Sequence, residues 1–150
     1  MEHSYLFEEA TWDAEGIFTD ADGNQITIEG ATAITHTDGS WILNSKLLLQ
    51  GEPPVELVNR YVMAPFADND FETSWTSHNP ELGEIQGRFV LVEDSLVSTF
   101  NSPDGTLHGT EILVQIDADS YENRGLLYQD QQLVSTWAMS LTRSVHGLLH

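Results

Sequence analysis

The chain has 150 residues, enough for one domain that buries its own core without staples. Its 24 Asp and Glu against 5 Lys and Arg give a net charge of −19, which repels phosphate backbones and anionic lipid, so neither nucleic acid nor a membrane is an expected partner. The absence of cysteine excludes disulfides, thiolate metal sites and cysteine nucleophiles, and the acidic start MEHSYLFEEA has no secretory character, so a cytoplasmic protein is expected.

The acidic residues are spread along the chain rather than gathered in a tail. That reads as a solvated surface suited to high salt, in preference to a docking face for a cationic partner.

Tyr5 to Ala10 reads as a lead-in with a helical turn. Thr11 to Thr19 begins the first strand, with Gly16 as a bend or bulge. Asp22-Gly23 marks a hairpin turn, because glycine supplies the positive φ. Gln25 to His36 alternates, with Ile26, Ile28, Ile34 and His36 on one face and Gly30 as a second bulge or bend. Asp38-Gly39 is the next turn. Trp41 to Gln50 places Trp41, Leu43, Ser45, Leu47 and Leu49 together. Pro53-Pro54 stops pairing.

Val55 to Ala64 aligns Val55, Leu57, Asn59, Tyr61 and Met63. Pro65 to Asp70 is a loop. Phe71, Thr73, Trp75 and Ser77 define a fifth strand. Ile85 to Val92 and Leu96 to Asn101 form a hairpin over Glu93-Asp94-Ser95. A third Asp-Gly turn, Asp104-Gly105, leads into Leu107 to Asp117. There His108, Thr110, Ile112, Val114 and Ile116 share a face, which is expected to be the inner one. Tyr121 to Tyr128 and Leu133 to Arg143 complete the set, with Leu133, Ser135, Trp137, Met139, Leu141 and Arg143 on one face.

These are about ten short strands with turn signals between neighbours and no long helical pattern. The expected fold is all-β: an antiparallel up-and-down meander barrel, whose closure removes two raw edges. A β-sandwich is the rival fold. The barrel would cover about residues 6–143, leaving 144–150 as a tail.

Trp12, in TWDAEG, and Arg143, in WAMSLTR, sit at the start of the first strand and the end of the last. On this pair the chain resembles the calycin superfamily, the lipocalin-like barrels, in which such a Trp and Arg pack together and close one end. The Trp12-x-x-x-Gly16 opening and the closing strand are also similar to the nitrobindins, ten-stranded haem-binding barrels. That family's ligand is a histidine on the closing strand. Ser135-Thr136 stands in that region here, and the strand has no histidine, so the resemblance does not imply a haem site. The chain is similar, too, to small lipocalin-like domains of unknown function. No cofactor is implied.

Six histidines are present: His3, His36, His78, His108, His146 and His150. None forms a close metal-ligand set, so no metal site is expected. His146 and His150 have i, i+4 spacing around Gly147 and read as a frayed terminus. His36 and His108 each continue an apolar face and could orient a ligand or act as a base; a rim histidine bonded to backbone is the plainer reading. The aromatics Trp41, Tyr61, Trp75, Phe100 and Trp137 fall on expected inner faces, interleaved with Ser45, Asn59, Thr73, Ser77 and Ser135. That mixture suits a cavity for an amphiphilic molecule better than a dry core. Glu111 reads as a surface carboxylate. No catalytic elbow or phosphate loop is present.

The expectation is therefore a barrel that binds a small hydrophobic or amphiphilic ligand through His36, Trp41, Tyr61, Trp75, His108 and Trp137. The alternatives are an enzyme on the same barrel, such as an isomerase, a cyclase or a tetrapyrrole-handling protein, or a filled barrel acting as an interaction module. Oligomeric state is not legible.

Overall fold

Alternation of apolar and polar residues, cut by Asp-Gly and other tight turns, produces ten strands in an unbroken meander. They are β1 (Ala10–Thr19), β2 (Gln25–Thr37), β3 (Ser40–Leu49), β4 (Val55–Met63), β5 (Glu72–Asn79), β6 (Gly83–Val92), β7 (Ser95–Asn101), β8 (Leu107–Asp117), β9 (Ser120–Gln129) and β10 (Gln132–Arg143). The structure is a computed structural model describing residues 2–144. His146 and His150 lie outside the described residues.

Each strand pairs antiparallel with its chain neighbour, and β1 pairs with β10 to close the sheet into one barrel. The closing seam runs in register from Trp12 opposite Arg143 to Thr19 opposite Thr136. One closed sheet excludes the sandwich. From strand spacing and usual tilt, ten strands close at a backbone radius of roughly 10 Å, wider than an eight-stranded barrel that side chains just fill.

The three Asp-Gly turns form as their chemistry dictates. Gly23, Gly39 and Gly105 have φ of 85°, 83° and 79°. Gly16 and Gly30 differ from expectation. Both pair in uninterrupted register, Gly16 with Met139 and Ile28, Gly30 with Ala14 and Leu47. They are glycine because a Cβ would strike the neighbouring strand's backbone at Ala138 or Lys46. The register shifts lie elsewhere, between Leu133 and Ser135 and between Gln115 and Asp117. Phe71 precedes β5 and is exposed rather than inward.

One end of the barrel is plugged. Residues 5–8 turn, with Glu8 N donating to Ser4 O at 3.1 Å, and drive Tyr5 and Leu6 between the strands. Leu6 and Trp12 are wholly buried there. Tyr5 and Tyr121 both stand edge-on to Trp12, at 5.4 and 5.6 Å between ring centroids. The Arg143 guanidinium lies 5.3 Å from the Trp12 ring centroid and pairs with Glu8 at 3.3 Å and Asp119 at 3.4 Å. The Tyr121 hydroxyl accepts from Ser4 N, and Ser4 Oγ donates to Ala118 O at 2.6 Å. Ordering this lead-in therefore satisfies its backbone while it fills the end.

Candidate functional site in the barrel lumen

Strand parity decides which side chains face inward. Three glycines on inward positions then decide how the large ones lie. Gly87, Gly109 and Gly125 each leave a bare patch of wall, and an aromatic ring from the adjoining strand covers it. Trp75 lies over Gly87, Phe100 over Gly109, and Trp137 over Gly125, each directly opposite its glycine in the register. Each ring sits where a side chain at the glycine would otherwise stand.

The rings also aim their polar edges. Trp75 Nε1 donates to Ser98 Oγ at 3.1 Å. Trp137 crosses β9 at Gly125 and donates from Nε1 to Glu111 Oε2 on β8 at 2.8 Å. Tyr61 stacks on Trp75 with centroids 4.6 Å apart.

Glu111 is the main correction to the sequence reading. It is not a surface carboxylate. On β8 the inward residues are Gly109, Glu111, Leu113 and Gln115, and the face carrying His108, Thr110, Ile112, Val114 and Ile116 is the outer one. Ile112 and Ile116 are exposed. His108 is accordingly outside the barrel. It stacks on Tyr128 at 5.5 Å, and its Nε2 meets Asp130 O at 2.8 Å.

Among the described residues Glu111 is the only carboxylate on an inward strand position. Burial pushes its carboxyl above the ordinary glutamate range, partly offset by hydrogen bonds from Trp137 and Asn123. Burial, then the Glu111 charge, pushes the Tyr5 and Tyr61 hydroxyls upward as well. Asn123, itself 2% exposed, has an Oδ1 with no donor.

Burial varies along the axis, and Ile28, Leu49, Asn79, Ile85 and Leu127 are buried in the half away from the plug. Trp12, Leu6, Met63, Leu96 and Ile34, toward the plug, are sealed. Phe18, Ile26, Leu57, Asn59, Phe100 and Leu107, toward the opposite end, stay half-buried. Midway, Tyr61, Glu111, Trp137 and Met139 do the same. Glu111 and Tyr61, inward at mid-height, stay partly accessible although burial pushes the titration of both upward.

The remaining expected site residues divide by height. Trp75, Tyr61 and Trp137 face the lumen. His36 and Trp41 face inward at the plugged end, stacked at 4.3 Å, with His36 Nε2 held 2.7 Å from Leu6 O and Trp41 covered by Phe7 and Phe66. They anchor the plug and do not meet the lumen trio. Among the described residues no three His, Asp or Glu come together to hold a metal ion.

No protein-family model matches the chain, and no curated protein matches it. Among solved structures, it is similar to the S-type phycobiliprotein lyase CPES from Guillardia theta. That likeness has 7% identity over 91% of this chain and 88% of the other, with a TM-score of 0.65. It is similar also to EF1p2_mFAP2b, solved bound to DFHBI, with 10% identity over 95% and 98% of the two chains and a TM-score of 0.53. What is shared is the fold. At these identities the neighbours share the antiparallel barrel and nothing finer.

Proposed function

We propose that this protein is a calycin-like barrel that holds a small, flat, hydrophobic or amphiphilic molecule in its lumen, admitted through the end opposite the plug. One observation carries the reading: the inward mid-barrel residues Tyr61, Glu111, Trp137 and Met139 are only half-buried. Walls of flat aromatics with a few polar groups are what such ligands need. The Trp12–Arg143 stack at the closed end supports kinship with calycins. One fold neighbour is a lyase for a phycobiliprotein and another was solved with a bound small molecule, which is in keeping with this reading. We place the protein in the cytoplasm.

A second reading, an enzyme on the same barrel, draws on Glu111. A carboxyl held toward its protonated form beside Tyr61 can hand a proton to a bound molecule. Turnover of a bound ligand that Glu111→Gln abolishes without loss of binding would favour it.

The indole N–H signals in a ¹⁵N NMR spectrum test the ligand-binding reading. Titration with N-phenylnaphthylamine should move the Trp75 and Trp137 signals and leave Trp12, sealed behind the plug, in place. Uniform small shifts in all four, or none, would remove the lumen as the site.

A further inference from the structure

Resting on the lumen-binding reading, we propose that the ligand carries a basic nitrogen, an ammonium or protonated heterocycle on a flat apolar body, and that Glu111 is its counter-ion. Among the described residues no basic side chain meets Glu111. The chain has five Lys and Arg, and none faces Glu111. Lys46, Arg88 and Arg124 are on the outer wall, paired with Glu56, Glu72 and Glu122. Arg60 is exposed on the outer face of β4. Arg143 is occupied at the plugged end by Trp12, Glu8 and Asp119. His36 is held there too, by Leu6 O and Trp41.

Glu111 therefore has hydrogen-bond donors but no cation of its own. A buried carboxylate without a partner is costly, and a partner cation removes much of that cost. The donor balance points the same way. Trp137 Nε1, a neutral donor, is bonded to Glu111 Oε2. A ligand bearing a charged N–H group supplies the cationic donor that Glu111 lacks.

The walls fit the same occupant. Trp137 and Tyr61 are half-buried on inward positions, with Trp75 stacked behind Tyr61, and indole and phenol faces attract cations as well as flat apolar rings. The net charge of −19 raises the local concentration of cations and depletes anions around the mouth. An anionic ligand would meet an unfavourable field outside and a carboxyl within.

The test compares naphthylmethylamine, cationic near neutral pH, with naphthylmethanol, its uncharged counterpart of the same shape. Both are titrated calorimetrically into wild type and Glu111→Gln at about 0.5 M NaCl, where the Debye length is roughly 4 Å and the acidic surface is screened. Glutamine keeps an oxygen for Trp137, so the lumen retains its shape. The amine should bind wild type at least about tenfold tighter than the alcohol, as expected for a desolvated charge pair. Glu111→Gln should erase that preference and leave alcohol binding unchanged. Equal binding of the two compounds by wild type overturns the cation proposal while leaving the lumen reading intact. A preference for the amine that survives in Glu111→Gln also overturns it, because the outer surface would then be responsible. Binding of neither compound overturns the lumen reading and this proposal with it.

Discussion

Replacing Glu111 with Gln should make the protein more stable at neutral pH, although it alters a fully formed hydrogen bond. In the unfolded chain the carboxyl titrates near its usual value of about 4.3. In the folded protein burial raises it. Below both values the group is protonated in either state and contributes no pH dependence. As pH rises through about 4.3, the unfolded chain ionises freely and the folded one resists, so stability falls until the folded carboxyl ionises and is then flat. Glutamine has no such fall. Its oxygen still accepts from Trp137, and its amide can meet the unpaired Asn123 Oδ1 once the two side chains settle.

The size follows from opposed contributions. Burying an ionised group costs several kcal/mol, and the Trp137 hydrogen bond to it returns about 1.5–3 kcal/mol, leaving a penalty of about 1–3 kcal/mol. For a chain of this length that corresponds to about 3–10 °C in Tm. Thermal melts by circular dichroism across the acid-to-neutral range should show equal Tm values for the two proteins near pH 4 and a widening advantage for Glu111→Gln above it. A variant less stable than wild type at neutral pH, or a difference that does not change with pH, would refute the reasoning.

Gly125→Ala should cost about 1–3 kcal/mol, because the new Cβ occupies the place of the Trp137 indole; urea titration reads the loss, and a change in tryptophan emission reports the displaced ring. Arg143→Ala should cost about 1–2 kcal/mol from the Trp12 stack and two partly exposed ion pairs. Most of that loss should persist at 1 M salt if the stack dominates and vanish if the ion pairs do. Wild-type Tm should rise with added NaCl, since salt screens the repulsion among 24 acidic and 5 basic residues. A Tm that falls with salt would mean that the ion pairs outweigh that repulsion.

Strand alternation carried most of the fold. Ile26 to His36, Trp41 to Leu49, Leu57 to Met63, Thr73 to Ser77 and Ser135 to Arg143 all face the side that their pattern indicates. β8 misleads for a physical reason. Its outer face carries Ile112, Val114 and Ile116, β-branched residues that suit an exposed strand, while its inner face carries Gly109, Glu111 and Gln115. Reading the apolar side as inward sends His108 into the lumen and Glu111 out. The signal that could have corrected this is the trio of strand glycines at 87, 109 and 125, each opposite an aromatic. A glycine beneath a ring marks an inner wall, and Glu111 follows Gly109 by one alternation. His36 and Trp41 were legible as inward but not as part of the plug. Their height along the axis depends on where residues 5–8 fold back, and no periodicity encodes that.

The most direct test of the account is native mass spectrometry of protein purified without denaturant, with an absorption spectrum taken alongside. A barrel that holds a small molecule predicts a discrete added mass that disappears on denaturation, or one stoichiometric adduct when naphthylmethylamine is added. The bare chain mass, unchanged by that amine or by N-phenylnaphthylamine, would contradict it and leave a filled barrel.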